Sequence, residues 1–194
     1  MSVGETFSAS STFLKICLVL APLQTLLYII GFSTTGWVTK KASVNFDNNN
    51  IGINFGISLA TIQEGLWKVC IADSCAEISW EQVSGWLHAT RLFATIALIG
   101  FMMSTAGVFV CLFITELSQR RILHILTTVL AAGTGVAVLV AILIYGSHYN
   151  NPIHHRISFT MDLGWSFGLC VGALVLDIIT TILLIINVVK KPNL

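Results

Sequence analysis

Charge is what this chain has least of. Only 10% of its 194 residues are Asp, Glu, Lys or Arg, against 55% hydrophobic, and the formal net charge is +1. Soluble domains carry about 25% charged residues, so this chain has too few to keep a surface wet. A mean hydropathy of +0.86 places it among integral membrane proteins. No basic run is long enough to hold nucleic acid. Asn-x-Ser/Thr is missing, so N-glycosylation is not expected. Glycine-rich phosphate loops and nucleophile–base sets are missing too, and no enzyme or cofactor is expected. No repeat of 20–50 residues occurs. Proline is scarce, and Pro22 lies within an apolar run, where it kinks a helix without implying function.

What is present are four apolar runs, 13–36, 92–115, 122–145 and 163–189. Each suffices for the ~20 residues that cross a bilayer core. The first is too long for a signal peptide, and Leu27 to Phe32 offers no small-x-small cleavage site. The expectation is one four-span domain with connections 37–91, 116–121 and 146–162 and a tail 190–194. Placing both termini in the cytoplasm puts Lys15, Arg120, Arg121, Lys190 and Lys191 inside, and Lys40, Lys41, Lys68, Arg91 and Arg156 outside. The count is a tie, but the inside charges sit in short segments, which carry more weight.

The first long connection reads as strands. Ile51, Ile53, Phe55, Ile57 and Leu59 alternate with small or polar residues, and so do Val38, Ala42, Val44 and Phe46. Asp47 to Asn50 supplies turn formers between them. The pattern predicts a hairpin pairing Val38–Phe46 with Ile51–Leu59. A second hairpin is expected from Leu66–Ala72 and Cys75–Ser79, turning near Asp73 and Ser74. Cys70 and Cys75 face each other in that arrangement, close enough for a disulfide on the oxidising side. Free thiols, or half of a metal site, are the other readings. Val83, Trp86, Leu87 and Thr90 recur at helical spacing and lead into the second run. The connection 146–162 has room for one short strand, Arg156–Thr160. His148, His154 and His155 share it without a neighbouring acid or cysteine, which favours a solvated loop over a zinc site.

Lipid removes the hydrophobic drive between helices, so small residues mark close-packed faces. Gly164, Gly168 and Gly172 recur at four-residue spacing, as do Gly133, Ala137 and Ala141. They are expected at seams inside the bundle, with contact between copies as the alternative. Two polar residues lie deep. Asp177 is about 18 Å, and Gln24 about 16 Å, from the inner ends of their runs at 1.5 Å per residue. The matched depth predicts a buried pair tying two helices, with a proton-relay role as the alternative. Cys17 and Cys111 are expected as buried thiols rather than palmitoylation sites.

Trp37, then Gly65-Leu66-Trp67, two residues, Cys70, a spacer, Cys75 and a later Arg91 resemble the signature of the claudin superfamily. That group also takes in peripheral myelin and epithelial membrane proteins, the lens fibre membrane protein and calcium-channel gamma subunits. Leu87-His88-Ala89-Thr90-Arg91 is similar to the family's Leu-Gln-Ala-x-Arg. The topology resemblance covers the whole chain, and the motif covers 37–91. Two departures stand out. Four residues separate the cysteines where typical claudins have about eight to ten, and the end, Lys190 to Leu194, lacks the Tyr-Val that PDZ domains capture. Pro192 makes Leu194 a weak PDZ ligand.

The resemblance implies a membrane α-helical fold: a left-handed four-helix bundle topped by a small extracellular antiparallel sheet, with Trp67 as an apolar anchor beneath it. It implies a plasma-membrane protein of cell–cell contacts. Such a protein self-associates through its sheet, in one membrane and across the gap, to form or regulate a paracellular barrier or pore. Lys40, Lys41, Lys68, Asp73, Glu77 and Glu81 are the charges that would bias ion passage. The alternative function is an auxiliary subunit docking on a larger channel or receptor.

Overall fold

A computed structural model describes residues 10–46, 55–71, 74–114, 120–149 and 158–190. Four helices dominate: α1 (Thr12–Ser33), α2 (Gly85–Phe113), α3 (Arg121–His148) and α4 (Trp165–Lys190). All four are long and apolar enough to cross a membrane. Ser11 caps α1, its side chain accepting from the Leu14 amide. Pro22 sits inside α1, and the helix continues through it to Ser33. α2 begins at Gly85, seven residues before the apolar run, because the helical spacing of Trp86, Leu87 and Thr90 belongs to the same helix.

The buried positions have a period that hydropathy alone does not reveal. In α1 they include Leu14, Cys17, Ala21, Gln24, Tyr28 and Gly31, alternating steps of three and four. In α4 they are Ser166, Cys170, Ala173, Asp177, Thr180, Leu184 and Asn187, with the same alternation. α2 repeats it from Leu87 to Cys111 and α3 from His124 to Tyr145. A seven-residue repeat under-winds the helices relative to 3.6 and imposes a left-handed supercoil. The helices form a ring, α1 against α2 and α4, and α3 closing between α2 and α4. Small and hydroxyl-bearing residues fill much of its interior, as membrane bundles require.

The sheet joins five antiparallel strands in the order β4-β3-β2-β1-β5. They are β1 (Val38–Phe46), β2 (Phe55–Glu64), β3 (Lys68–Ile71), β4 (Ser74–Glu77) and β5 (Ser158–Leu163). The first hairpin departs from the expected register. β1 pairs with Phe55–Glu64 rather than Ile51–Leu59, and Phe46 opposes Phe55. The turn expected at Asp47–Asn50 lies outside the described residues. The pairing lies four residues later at the Phe46 end, and an irregularity between Ala42 and Ser43, where the partner steps from Ala60 to Ser58, adds a fifth toward Val38. A bulge resets strand parity, so the alternation that ends at Leu59 resumes at Ile62. The strand expected at Arg156–Thr160 is seen at Ser158–Leu163 and pairs with β1.

The glycine seams are corrected. A Cβ built on Gly133, Gly168 or Gly172 meets nothing within 4 Å. These three face out of the bundle, whereas Ala137 and Ala141 are buried inside it. Close approach falls at other glycines. A Cβ on Gly31 would lie 2.6 Å from Cys170 Sγ, and one on Gly135 would lie 2.6 Å from Asp177 Oδ2. Four-residue spacing drifts about 40° per step on a 3.6-residue helix, so it does not follow a 3-4 seam. Gly168→Ala and Gly172→Ala are therefore expected to be neutral or to stabilise by up to about 1 kcal/mol, since Ala is the better helix former. Thermal melting in detergent checks this; a loss at either site would place it back at a seam.

Candidate interaction surface and its seat on the bundle

The sheet is welded to the bundle where the first and last helices meet it. The β1–β5 ladder runs on past its end: the Gly164 amide donates to Trp37 O at 2.8 Å, and the Ser166 amide to Gly36 O at 2.9 Å. Gly164 is required for this approach. Its Cβ would stand 2.8 Å from the Gly36 carbonyl carbon and closer still to the oxygen. Thr34 Oγ1 donates across the same joint to Ser166 Oγ at 2.8 Å.

Trp37 plugs the joint from below. It is 1% exposed, and its Nε1 donates to Gly31 O at 2.7 Å. Its ring meets Tyr145 and Phe167 edge-on at 4.9 and 5.8 Å. The signature indole is thus a core residue spanning α1, α3 and α4, with its one donor satisfied.

Gly65-Leu66-Trp67 forms a second seat. The Gly65 amide donates to Lys68 O at 2.9 Å, and a Cβ there would stand 2.7 Å from Thr34 O. Leu66 is fully buried. Trp67 is half-buried, edge-on to Phe32 at 5.4 Å. Arg91 ties the loop to α2: its Nε donates to Leu66 O at 2.7 Å, and its guanidinium lies 5.1 Å from the Trp67 ring centre. Trp67 is therefore a packed anchor.

From this seat the second hairpin projects. Cys70 and Cys75 are cross-strand partners joined by a disulfide. Closing so short a ring contributes about 2 kcal/mol in the loop-entropy model. The bond fixes this hairpin and staples nothing distant. β4 forms one edge of the sheet, and all four of its residues are exposed. Ile71 and Trp80 beside it are exposed at 51% and 65%. The bundle leaves apolar surface uncovered at this corner, as it does at Leu163 on the opposite edge.

The charges expected to act together do not all stand free. Lys40 forms an ion pair with Glu64, a partner the sequence reading did not assign. Lys68 opposes Glu77 across β3 and β4. Lys41 and Glu81 are exposed. Asp73 lies outside the described residues, as do His154 and His155. Among the described residues, no group of three His, Cys, Asp or Glu is placed to hold a metal.

The α1–α4 seam carries the buried polar groups. Gln24 Nε2 donates to Asp177 Oδ1 at 3.1 Å, and Thr180 Oγ1 donates to Gln24 Oε1 at 3.0 Å. Nearer the termini, Ser11 bonds Asn187, whose Nδ2 lies 3.3 Å from His124 Nδ1. Cys17, Cys111 and Cys170 are buried and take no part in the disulfide. Thr180, Gly135, Glu64 and Asn187 were missed by sequence reasoning; a three-residue step from Asp177 would have found Thr180. Asp177→Asn keeps the acceptor for Gln24 and is expected to melt within about 1 kcal/mol of the parent. Asp177→Leu strands the Gln24 amide and is expected to cost about 1–3 kcal/mol. Equal melting of the two would show that the bond does not hold the seam.

No curated protein matches the chain. A sequence model of the PMP-22/EMP/MP20/Claudin family matches residues 9–184. That match takes in the first three helices, the whole described sheet and most of α4, so this multi-pass membrane protein belongs to the PMP-22/EMP/MP20/Claudin family.

Proposed function

We propose that the protein is a claudin-like component of cell–cell contacts at the plasma membrane, with both termini cytoplasmic and the sheet outside. The observation that carries this is the β4 edge. It is an exposed strand at the end of the strand order among the described residues, held in its hairpin by the Cys70–Cys75 bond and seated on Trp67 and Arg91. Strand edges pair readily with other strands. A second copy in the same membrane or across the gap would supply one, forming or regulating a paracellular barrier or pore. An outward sheet also puts the disulfide on the oxidising side.

If a pore forms, Lys41, Lys68, Glu77 and Glu81 are the charges of the expected set that are described and exposed, two of each sign. That set favours neither cations nor anions, because Glu64 neutralises Lys40. Asp177 serves as a structural tie in this reading rather than as a relay.

A second reading is favoured by Ile71 and Trp80. Their exposure beside β4 suits docking on a larger membrane protein, as an auxiliary subunit would. One experiment separates the two. The tagged protein is expressed in cells that lack junctions, and contacts are imaged. Enrichment between two expressing cells, with strands in freeze-fracture, supports self-association. Diffuse signal with co-purification of a channel would sink it in favour of the second reading.

A further inference from the structure

Among the described residues, four buried side-chain atoms have no hydrogen-bond partner: Trp67 Nε1, His88 Nδ1, Arg91 Nη2 and Thr181 Oγ1. Unpartnered buried polar atoms are few in native proteins, and each asks for an explanation. Three of these four belong to one cluster. The Arg91 guanidinium lies 5.1 Å from the centre of Trp67 and 5.8 Å from that of Trp80, and Trp80 lies 4.4 Å from the His88 ring. His88 and Arg91 share a face of α2, one turn apart.

Among the described residues, no acid forms an ion pair with the charge in this cluster. Arg91 is 3% exposed, and the ion pair Lys40–Glu64 does not involve it. A buried cation without a counter-charge is costly. Two ring faces offset part of that cost, and the bond to Leu66 O occupies only Nε.

The chemistry of the missing partner follows. Trp67 Nε1 and Arg91 Nη2 can only donate, and His88 Nδ1 donates as its Nδ1–H tautomer or as imidazolium. The complement is an acceptor bearing negative charge. Guanidinium geometry suits phosphate and carboxylate oxygens. The depth is right for a headgroup. α2 has 29 residues, about 43 Å, which exceeds a ~30 Å hydrocarbon core. Arg91 lies about 9 Å along it from Gly85, at the polar layer. Trp80, 65% exposed, covers the cluster from outside.

We propose that Trp67, His88 and Arg91 form an oxyanion site at the foot of the sheet, taking phosphate oxygens from a lipid headgroup or from free phosphate. The site is independent of whether the sheet pairs with other copies. Its effect would be to fix the second hairpin's seat to the bilayer surface.

The test uses the full chain in a phosphate-free maltoside detergent. One arm adds sodium phosphate against sodium chloride at equal ionic strength. The other adds phosphatidylglycerol against an uncharged glycolipid of equal chain length. The melting temperature is expected to rise about 3–5 °C at ten times the dissociation constant in at least one arm, which identifies the source. Trp67→Phe and His88→Phe keep the rings but remove one donor each, and are expected to lose half or more of the rise. Thr181→Val, remote from the cluster in sequence and on α4, should keep it. No rise in either arm overturns the site, and so does a rise equal in the parent and both ring variants. A structural water alone would give the first of these results.

Discussion

Gly164→Val is expected to abolish folding of the bundle to the point that no protein reaches the cell surface. The added carbons meet backbone, because a Cβ there lies 2.8 Å from the Gly36 carbonyl carbon. Backbone at this joint cannot yield without loss of the Gly164–Trp37 and Ser166–Gly36 hydrogen bonds, at 2.8 and 2.9 Å. Overpacking costs about 1–3 kcal/mol where side chains can adjust, and more where they cannot. Surface biotinylation and detergent melting read the result, with Gly168→Val as the comparison. Gly168 faces open space, so that variant should reach the surface. Equal delivery of the two would mean that the first and last helices are not joined as described.

Trp37→Ala carries the second large effect, about 3–5 kcal/mol of stability, in line with deletion of a buried aromatic. It removes the plug between Tyr145 and Phe167 and leaves Gly31 O without its donor. Trp37→Phe keeps most of the packing but not the hydrogen bond, and is expected to cost about 1–2 kcal/mol. Melting of the three proteins side by side checks both figures. If Trp37 were a surface residue for partners, both variants would melt like the parent.

The parts of this fold set by composition were legible in the sequence. Sustained hydropathy marked the helices, and period two marked strands at Val38 and beyond Phe55. The facing of Cys70 and Cys75 followed from the number of residues between them. Depth counting set Gln24 and Asp177 at one level, and they are in contact. What failed were features that depend on rotation or register. In lipid both faces of a helix are apolar, so hydropathy cannot say which face turns inward. Gly133, Gly168 and Gly172 belong to four-residue series that do not follow the 3-4 seam, and they turn away from the bundle. The β2 register lies four residues later than expected and the bulge at Ala42 and Ser43 adds one more, because alternation predicts a strand but not where it pairs or slips. Charge pairing failed likewise. Lys40 and Glu64 are 24 residues apart and meet only through that register.

The Gln24–Asp177 bond joins residues 153 positions apart, and the Gly36–Ser166 joint likewise links the first helix to the last. During synthesis at about 5–20 residues per second, α1 therefore waits some 8–30 s for its partner. Throughout that interval an amide sits in lipid without its mate, and the Gly31–Trp37 corner has nothing to close on. Closure is set by the arrival of α4. A chain ended before Leu163 is expected to be held and degraded in the cell, and supplying 158–194 as a separate segment should prolong its half-life in a pulse-chase. The bundle is thus a clasp whose two halves are its first and last helices, giving the cell a single check that all four have been made.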